Sequence, residues 1–310
     1  MTLHSLCSKA EPAWERDFYS AYLAEGKDGI KKTVFCYQIP LNTDLEMVML
    51  QKCGVSASER IRLYEHILTC VQHQIEVTAY LAEKNVPNVL AFSNLEQHRE
   101  GNTTYLYLET EEVYPVTERI FRSACSRIEL LDLLISLSMI LRDLSDLEIG
   151  VTHRGFDLSE VYLDRDNKIL LGGFYYACGP KLEERDSDLS AYPPYFPLAP
   201  AHLTAQLFRG ESGSCGQDIQ MLAQVGWNLF SGEPFDAEHV GSKNVFPEYA
   251  TEEIAEALLL GLSGKEESCI AFCNKILECR KGLSKDQTED IPVPISVARR
   301  KAYREEFIQP

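Results

Sequence analysis

One stretch of the chain gathers side chains able to do chemistry: VTHRGFDLSEVYLDRDNKILLGGF, residues 151–174. His153 and Arg154 are followed by Asp157 and Glu160. Carboxylates such as Asp157 and Glu160 could act as base or as ligand to a divalent cation. The plainer alternative, and the preferred one, is that both are solvated loop acids. The ten cysteines (Cys7, Cys36, Cys53, Cys70, Cys125, Cys178, Cys215, Cys269, Cys273 and Cys279) include no CxxC pair and no Cys/His cluster with zinc-ligand spacing. Cys36 and Cys70 sit among apolar neighbours. Small buried hydrophobes in a reducing compartment are therefore expected, rather than a disulfide framework.

The charge balance narrows the partners. Thirty Lys+Arg against 47 Asp+Glu leave a formal charge of −17, which argues against nucleic acid and against anionic membrane surfaces, both of which need clustered cations. The hydrophobic share of 45% over 310 residues excludes whole-chain disorder and suggests about two lobes. The N-terminus lacks the basic start and apolar stretch of a signal peptide. The longest apolar candidate, Ile128–Leu147, is interrupted by Glu129, Asp132, Arg142, Asp143 and Asp146. A cytoplasmic protein is expected.

The elements that must position these residues follow from periodicity. FYSAYLA and TVFCYQIP read as strands around the turn signals of EGKDGIKK, with Pro40 ending the second. Ile61, Tyr64, Ile67, Leu68, Val71, Ile75, Thr78 and Leu81 recur at helical steps over Ser56–Leu81, and Ser56 with Glu59 suits a capping box. NVLAFSNLEQ and TTYLYLET form a hairpin signal around Gly101-Asn102. Beyond it the chain is mainly helical: Ile128–Leu147, Asp218–Phe230, Ala250–Leu262 and Cys269–Leu277, with a short β segment at VYLDRDNKILLGGF. Strands first and helices after is the order of an α+β protein with two parts.

Against that background, residues 151–174 resemble the catalytic loop and metal-binding segment of the eukaryotic-like protein kinase family, H-R-D-x-x-x-x-N, a hairpin, then D-F-G. His153-Arg154 stands for H-R and Phe174 for the Phe of D-F-G. Asp218–Phe235, DIQMLAQVGWNLFSGEPF, is similar to the central helix of that family, and Ala199-Pro200 to the start of A-P-E. The stretch QIPLNTDLEMVMLQKCGVSASERIRLYEHIL resembles the region after the lysine strand in certain bacterial Ser/Thr kinases. The resemblance covers about residues 14–280 and implies a two-lobe protein kinase-like fold. Its parts would be an N-terminal segment (1–13), a strand-rich N-lobe with one long helix (14–112), a helix-rich C-lobe (113–283) and a C-terminal tail (284–310).

The same resemblance implies that the catalytic groups are missing. The phosphate-covering loop falls in AEPAWERDF, which has no glycine and carries Glu11, Glu15 and Asp17. The strand lysine corresponds to Phe35 or Tyr37, depending on alignment; Lys31 and Lys32 precede the strand and Lys52 lies beyond it. The helix glutamate corresponds to Gln74, with Glu76 on another face. The catalytic Asp, the metal-binding Asn and the Asp of D-F-G correspond to Gly155, Glu160 and Gly173, and Tyr175 replaces the last glycine. The A-P-E glutamate corresponds to Ala201, and its arginine partner, expected near Ser268-Cys269, is missing too. Retained are His153 and Phe174, which in kinases pack together, Asp218, which anchors the catalytic-loop backbone, and Arg154, a candidate for binding an anion.

The expectation is a pseudokinase: a regulatory or scaffolding protein with no phosphotransferase activity, no cofactor and no metal. The alternative is an atypical Ser/Thr kinase in which Asp157 and Glu160 act with ATP and magnesium. A third reading keeps nucleotide without metal. A protein partner is expected, an active kinase or its substrate among the candidates. Ser187, Ser190 and Tyr192 are candidate phosphorylation sites. The tail carries Arg299, Arg300, Lys301 and Arg304 beside Val297, Tyr303 and Phe307, suited to an acidic partner or to the protein's own acidic surface.

Overall fold

The computed structural model of the chain describes residues 2–16, 19–25, 29–41, 56, 60–122, 125–148, 150–155, 157–178, 214–231, 249–266, 268–288 and 290–291. In chain order these form α1 (Leu3–Cys7), β1 (Trp14–Glu15), β2 (Tyr19–Glu25), β3 (Lys31–Ile39), α2 (Arg60–Glu83), β4 (Asn94–Glu100) and β5 (Thr103–Glu111). Then come β6 (Val113–Pro115), α3 (Val116–Arg122), β7 (Cys125–Ser126), α4 (Arg127–Ser145), β8 (Val161–Asp164) and β9 (Ile169–Leu171). The described chain finishes with α5 (Cys215–Ser231), α6 (Glu252–Leu262), α7 (Cys269–Gly282) and β10 (Asp290–Ile291). The fold is α+β: a five-stranded antiparallel sheet in the order β1-β2-β3-β5-β4, a β6-β8-β9 sheet, a β7-β10 pair and, among the described residues, seven α-helices.

β3 reads as a nearly continuous apolar run because both of its faces are covered. Phe35 and Tyr37 point to one side, among Ile67 and Val71 of α2 and Tyr162 of β8. Val34 and Cys36 point to the other, among Leu3, Cys7 and Tyr107. α1 is held there through Glu96 of β4, whose Oε2 accepts from the Leu3 N–H at 2.6 Å. Lys31 and Lys32 do not precede the strand; they open it, and Lys32 Nζ pairs with Glu109 of β5 at 2.5 Å. The cation is placed there by its cross-strand neighbour, which the local sequence does not reveal.

The second hairpin also differs from expectation, since β4 starts at Asn94 rather than Asn88. Asn85 and Asn88 have φ of 55° and 64°, left-handed values that interrupt a strand. The segment after them pairs with β9 instead: Leu90 N–H donates to Leu171 O at 2.8 Å, and Leu171 N–H to Asn88 O at 2.9 Å.

In the helical part, α4 starts at a capping box in which Ser126 and Glu129 satisfy each other's backbone N–H. Its stripe of Leu130, Leu131, Leu134, Leu137, Leu141 and Leu144 is buried against α5 and α7. Each such leucine contributes about 1.5–3 kcal/mol on burial, so tertiary packing rather than propensity fixes this helix. The box foreseen for α2 involves Glu59, outside the described residues, and α2 is described from Arg60.

The thiols depart from expectation at one pair. Cys7, Cys36, Cys70, Cys178 and Cys273 are free and buried, Cys125 is buried, and Cys279 is free and half-buried, but Cys215 and Cys269 form a disulfide. They lie 54 residues apart in sequence, and folding brings the first residues of α5 and α7 to a Cα–Cα distance of 6.6 Å, within bridging range. Cys53 lies outside the described residues. Among those residues, no helix is long and apolar enough to cross a membrane.

Candidate functional site

The hairpin β8–β9 presents residues 160–174 between the five-stranded sheet and α4. Its turn is closed by Asp164, whose Oδ1 accepts from the N–H groups of Asp166 and Lys168. Asp218, in the first turn of α5, accepts the main-chain N–H groups of His153 at 2.8 Å and Arg154 at 2.9 Å. Arg154 has a φ of 58°, a conformation sustained only where surrounding contacts over-determine it. Arg154 is 2% exposed.

His153 is fully buried, with Nε2 at 2.8 Å from the carbonyl of Gly172 and Nδ1 accepting from the Gly155 N–H at 3.3 Å. That pattern requires the proton on Nε2. Burial pushes the His153 pKa down to about 4, against the favourable bond to Gly172, so the ring is neutral at physiological pH. Its ring lies 4.6 Å from that of Phe174. Burial also raises the Asp218 carboxyl to about 6, while the two amides and Arg154 favour its charge.

A second group of side chains fills the ground between β3, α2 and β8. Gln74 of α2 donates to the Tyr37 hydroxyl at 3.3 Å, which lies 3.0 Å from the Tyr175 hydroxyl. Beside them Tyr19 and Tyr162 share a hydrogen bond of 2.9 Å, and Tyr162 donates to Glu160 Oε2 at 3.1 Å. Phe35 meets Trp14, Tyr19, Phe92 and Tyr162 at ring-centroid distances of 5.4–6.1 Å, ordinary for aromatic packing. Burial holds the phenols of Tyr19, Tyr37, Tyr162 and Tyr175 above their usual range, so all four stay protonated.

Glu160 is no solvated loop acid; it is 8% exposed. Its side chain lies against Gly173, where an added Cβ would fall 2.5 Å from Glu160 Cγ. Gly173 also has a φ of 74°, so both the space and the backbone demand glycine there. Burial raises the Glu160 carboxyl to about 7, opposed by Arg16 and by the Tyr162 hydroxyl. Arg16 reaches across to donate to Thr117 Oγ1 at 3.1 Å. Asp157 is half-buried and is the N-cap of a short 3₁₀ turn, its Oδ1 accepting from the Ser159 N–H at 2.8 Å.

The structure thus gathers Phe35, Tyr37, Gln74, Gly155, Glu160 and Gly173, with His153, Phe174 and Asp218 beneath them. Gly155 has no side chain to offer a proton acceptor, Asp157 caps a turn, and Glu160 is sealed beneath aromatic rings. Among the described residues no group of three or more His, Cys, Asp or Glu could hold a metal ion. Sequence reasoning missed Arg16, Tyr19 and Tyr162. The available signals were a lone cation among the acids of AEPAWERDF and the tyrosines set in the strand-like runs of β2 and β8. Ser187, Ser190, Tyr192, Ala199, Pro200, Ala201, Lys52 and Asp17 lie outside the described residues.

Compared with known proteins, no family model matches the chain and no curated protein matches it.

Proposed function

We propose that this chain is a pseudokinase, a kinase-fold regulatory or scaffolding protein without phosphotransferase activity. In this reading residues 14–112 and 113–283 correspond to the two lobes, and partners are proteins. The observation that carries it is the hydrogen-bonded line Gln74–Tyr37–Tyr175. It stands where the resemblance puts the helix glutamate, the strand lysine and the last glycine of D-F-G. Phosphoryl transfer works by charge placed around a triphosphate and its metal ions. An amide and two protonated phenols supply none. Packing of Glu160 against Gly173 further supports the reading, because a side chain at the position of the D-F-G aspartate would collide with Glu160.

The alternative, an active kinase using Asp157 and Glu160, has against it that both groups are engaged in local structure. The full chain incubated with labelled ATP, magnesium or manganese and generic protein substrates is expected to transfer no label. Transfer abolished by Asp157→Asn would establish the active reading in its place.

A further inference from the structure

Away from the aromatic cluster, α6 and α7 enclose a groove of about 400 Å³. Its floor includes Ala257, Leu260 and Leu283, and its rim carries Glu253, Glu256 and Glu278, all three exposed. Lys275, also at the groove, is engaged by Glu266 at 3.1 Å. The free Cys279 thiol at the groove has its pKa raised by burial first and then by the negative charges of Glu253, Glu278 and Glu256. An apolar floor with a negative rim suits a segment whose cationic and apolar side chains alternate.

This chain carries one such segment close by. Gln287 lines the groove, and the described chain ends at Ile291. Six residues later begins VARRKAYREEF, residues 297–307, with Arg299, Arg300, Lys301 and Arg304 set among Val297, Tyr303 and Phe307. Six extended residues span roughly 20 Å, enough to bring this segment back over the rim. We propose that the α6–α7 groove is a docking site for the basic C-terminal segment of the same chain. Apolar side chains of residues 297–307 enter between Leu260 and Leu283, and the arginines face Glu253, Glu256 and Glu278. A tethered segment binds at high effective concentration, so weak contacts suffice. The inference stands apart from the pseudokinase reading, since it uses neither the aromatic cluster nor the resemblance.

Limited trypsin digestion of the full chain tests it, because cleavage after Arg299–Lys301 tracks the population of undocked tail. Neutralising the rim with Glu253→Gln, Glu256→Gln and Glu278→Gln is expected to speed that cleavage roughly tenfold, and high salt should speed the unaltered protein similarly. The tail-side variant Arg299→Gln, Arg300→Gln, Arg304→Gln should speed cleavage at Lys301 by a like factor. Carbodiimide coupling of Lys301 to a rim glutamate should occur within single chains. Cleavage rates unmoved by either variant would overturn the proposal. So would cross-links that join only different chains, which would place a second copy's tail in the groove.

Discussion

Two buried carboxyl groups, Asp218 and Glu160, lie on either side of the segment that begins at His153, and their surroundings treat them differently. Asp218 accepts two main-chain N–H groups and supports the unusual backbone of Arg154. Glu160 accepts one phenol and fills the space over Gly173. Burial pushes the first to about 6 and the second to about 7. The difference teaches that a buried acid can serve a fold in two ways: as an anchor for amides that would otherwise go unsatisfied, or as bulk that closes a space. Neither use leaves a carboxylate free for a substrate.

The largest expected effect is on the anchor. Asp218→Ala strands two buried N–H groups and should destabilise the protein by about 3–5 kcal/mol. Asp218→Asn, which keeps one acceptor oxygen, should cost about half as much. Urea denaturation measures both, and a loss below about 1 kcal/mol for alanine would deny Asp218 that role. Next comes the filled space. Gly173→Ala places a Cβ against Glu160 in a left-handed backbone and should cost about 2–4 kcal/mol. Adding Glu160→Ala should restore part of that, and simple additivity in this double-mutant cycle would show that the two positions are not in contact.

The carboxyl of Glu160 gives the comparison a pH signature. Its pKa is near 7 folded against a reference of 4.5, so between those values the native state holds a proton that the unfolded state has lost. Stability from this group is full below pH 4.5 and disappears as pH rises through 7. Asp218 acts in the same sense up to about pH 6. His153 and His66, both lowered to about 4 by burial, act in the opposite sense below pH 6.5. Subtracting the profile of Glu160→Gln from that of the unaltered protein isolates Glu160. The difference should fall by about 3 kcal/mol from pH 4.5 to 7, and a flat difference would mean that the carboxyl is solvated. The smallest effect is expected at Tyr37→Phe, which removes the hydroxyl shared by Gln74 and Tyr175 and should cost about 1–2 kcal/mol in thermal denaturation.

Local periodicity made β2, β3, α2, α4, α5, α6 and α7 legible, because each buries a stripe that its own sequence writes out. The histidine, phenylalanine and aspartate beneath the site were legible through a motif with fixed spacing. The rest depends on distant neighbours. Lys32 of β3 pairs with Glu109, which stands diagonally across the ladder opposite Val34. Glu160 is buried because Gly173 and Tyr162, from other parts of the hairpin, close over it. Cys215 and Cys269 meet only once α5 and α7 are packed. α1 was silent as a five-residue helix that is held by Glu96 and Tyr107 rather than by its own propensity.

The proposed reading, a kinase-like chain whose counterpart positions carry no charge for a triphosphate, is tested most directly by thermal unfolding of the full chain against increasing ATP with magnesium. A ligand that binds the native state raises the midpoint as its concentration rises. The account predicts an unmoved midpoint. A midpoint that climbs with ATP and needs magnesium to do so would contradict it.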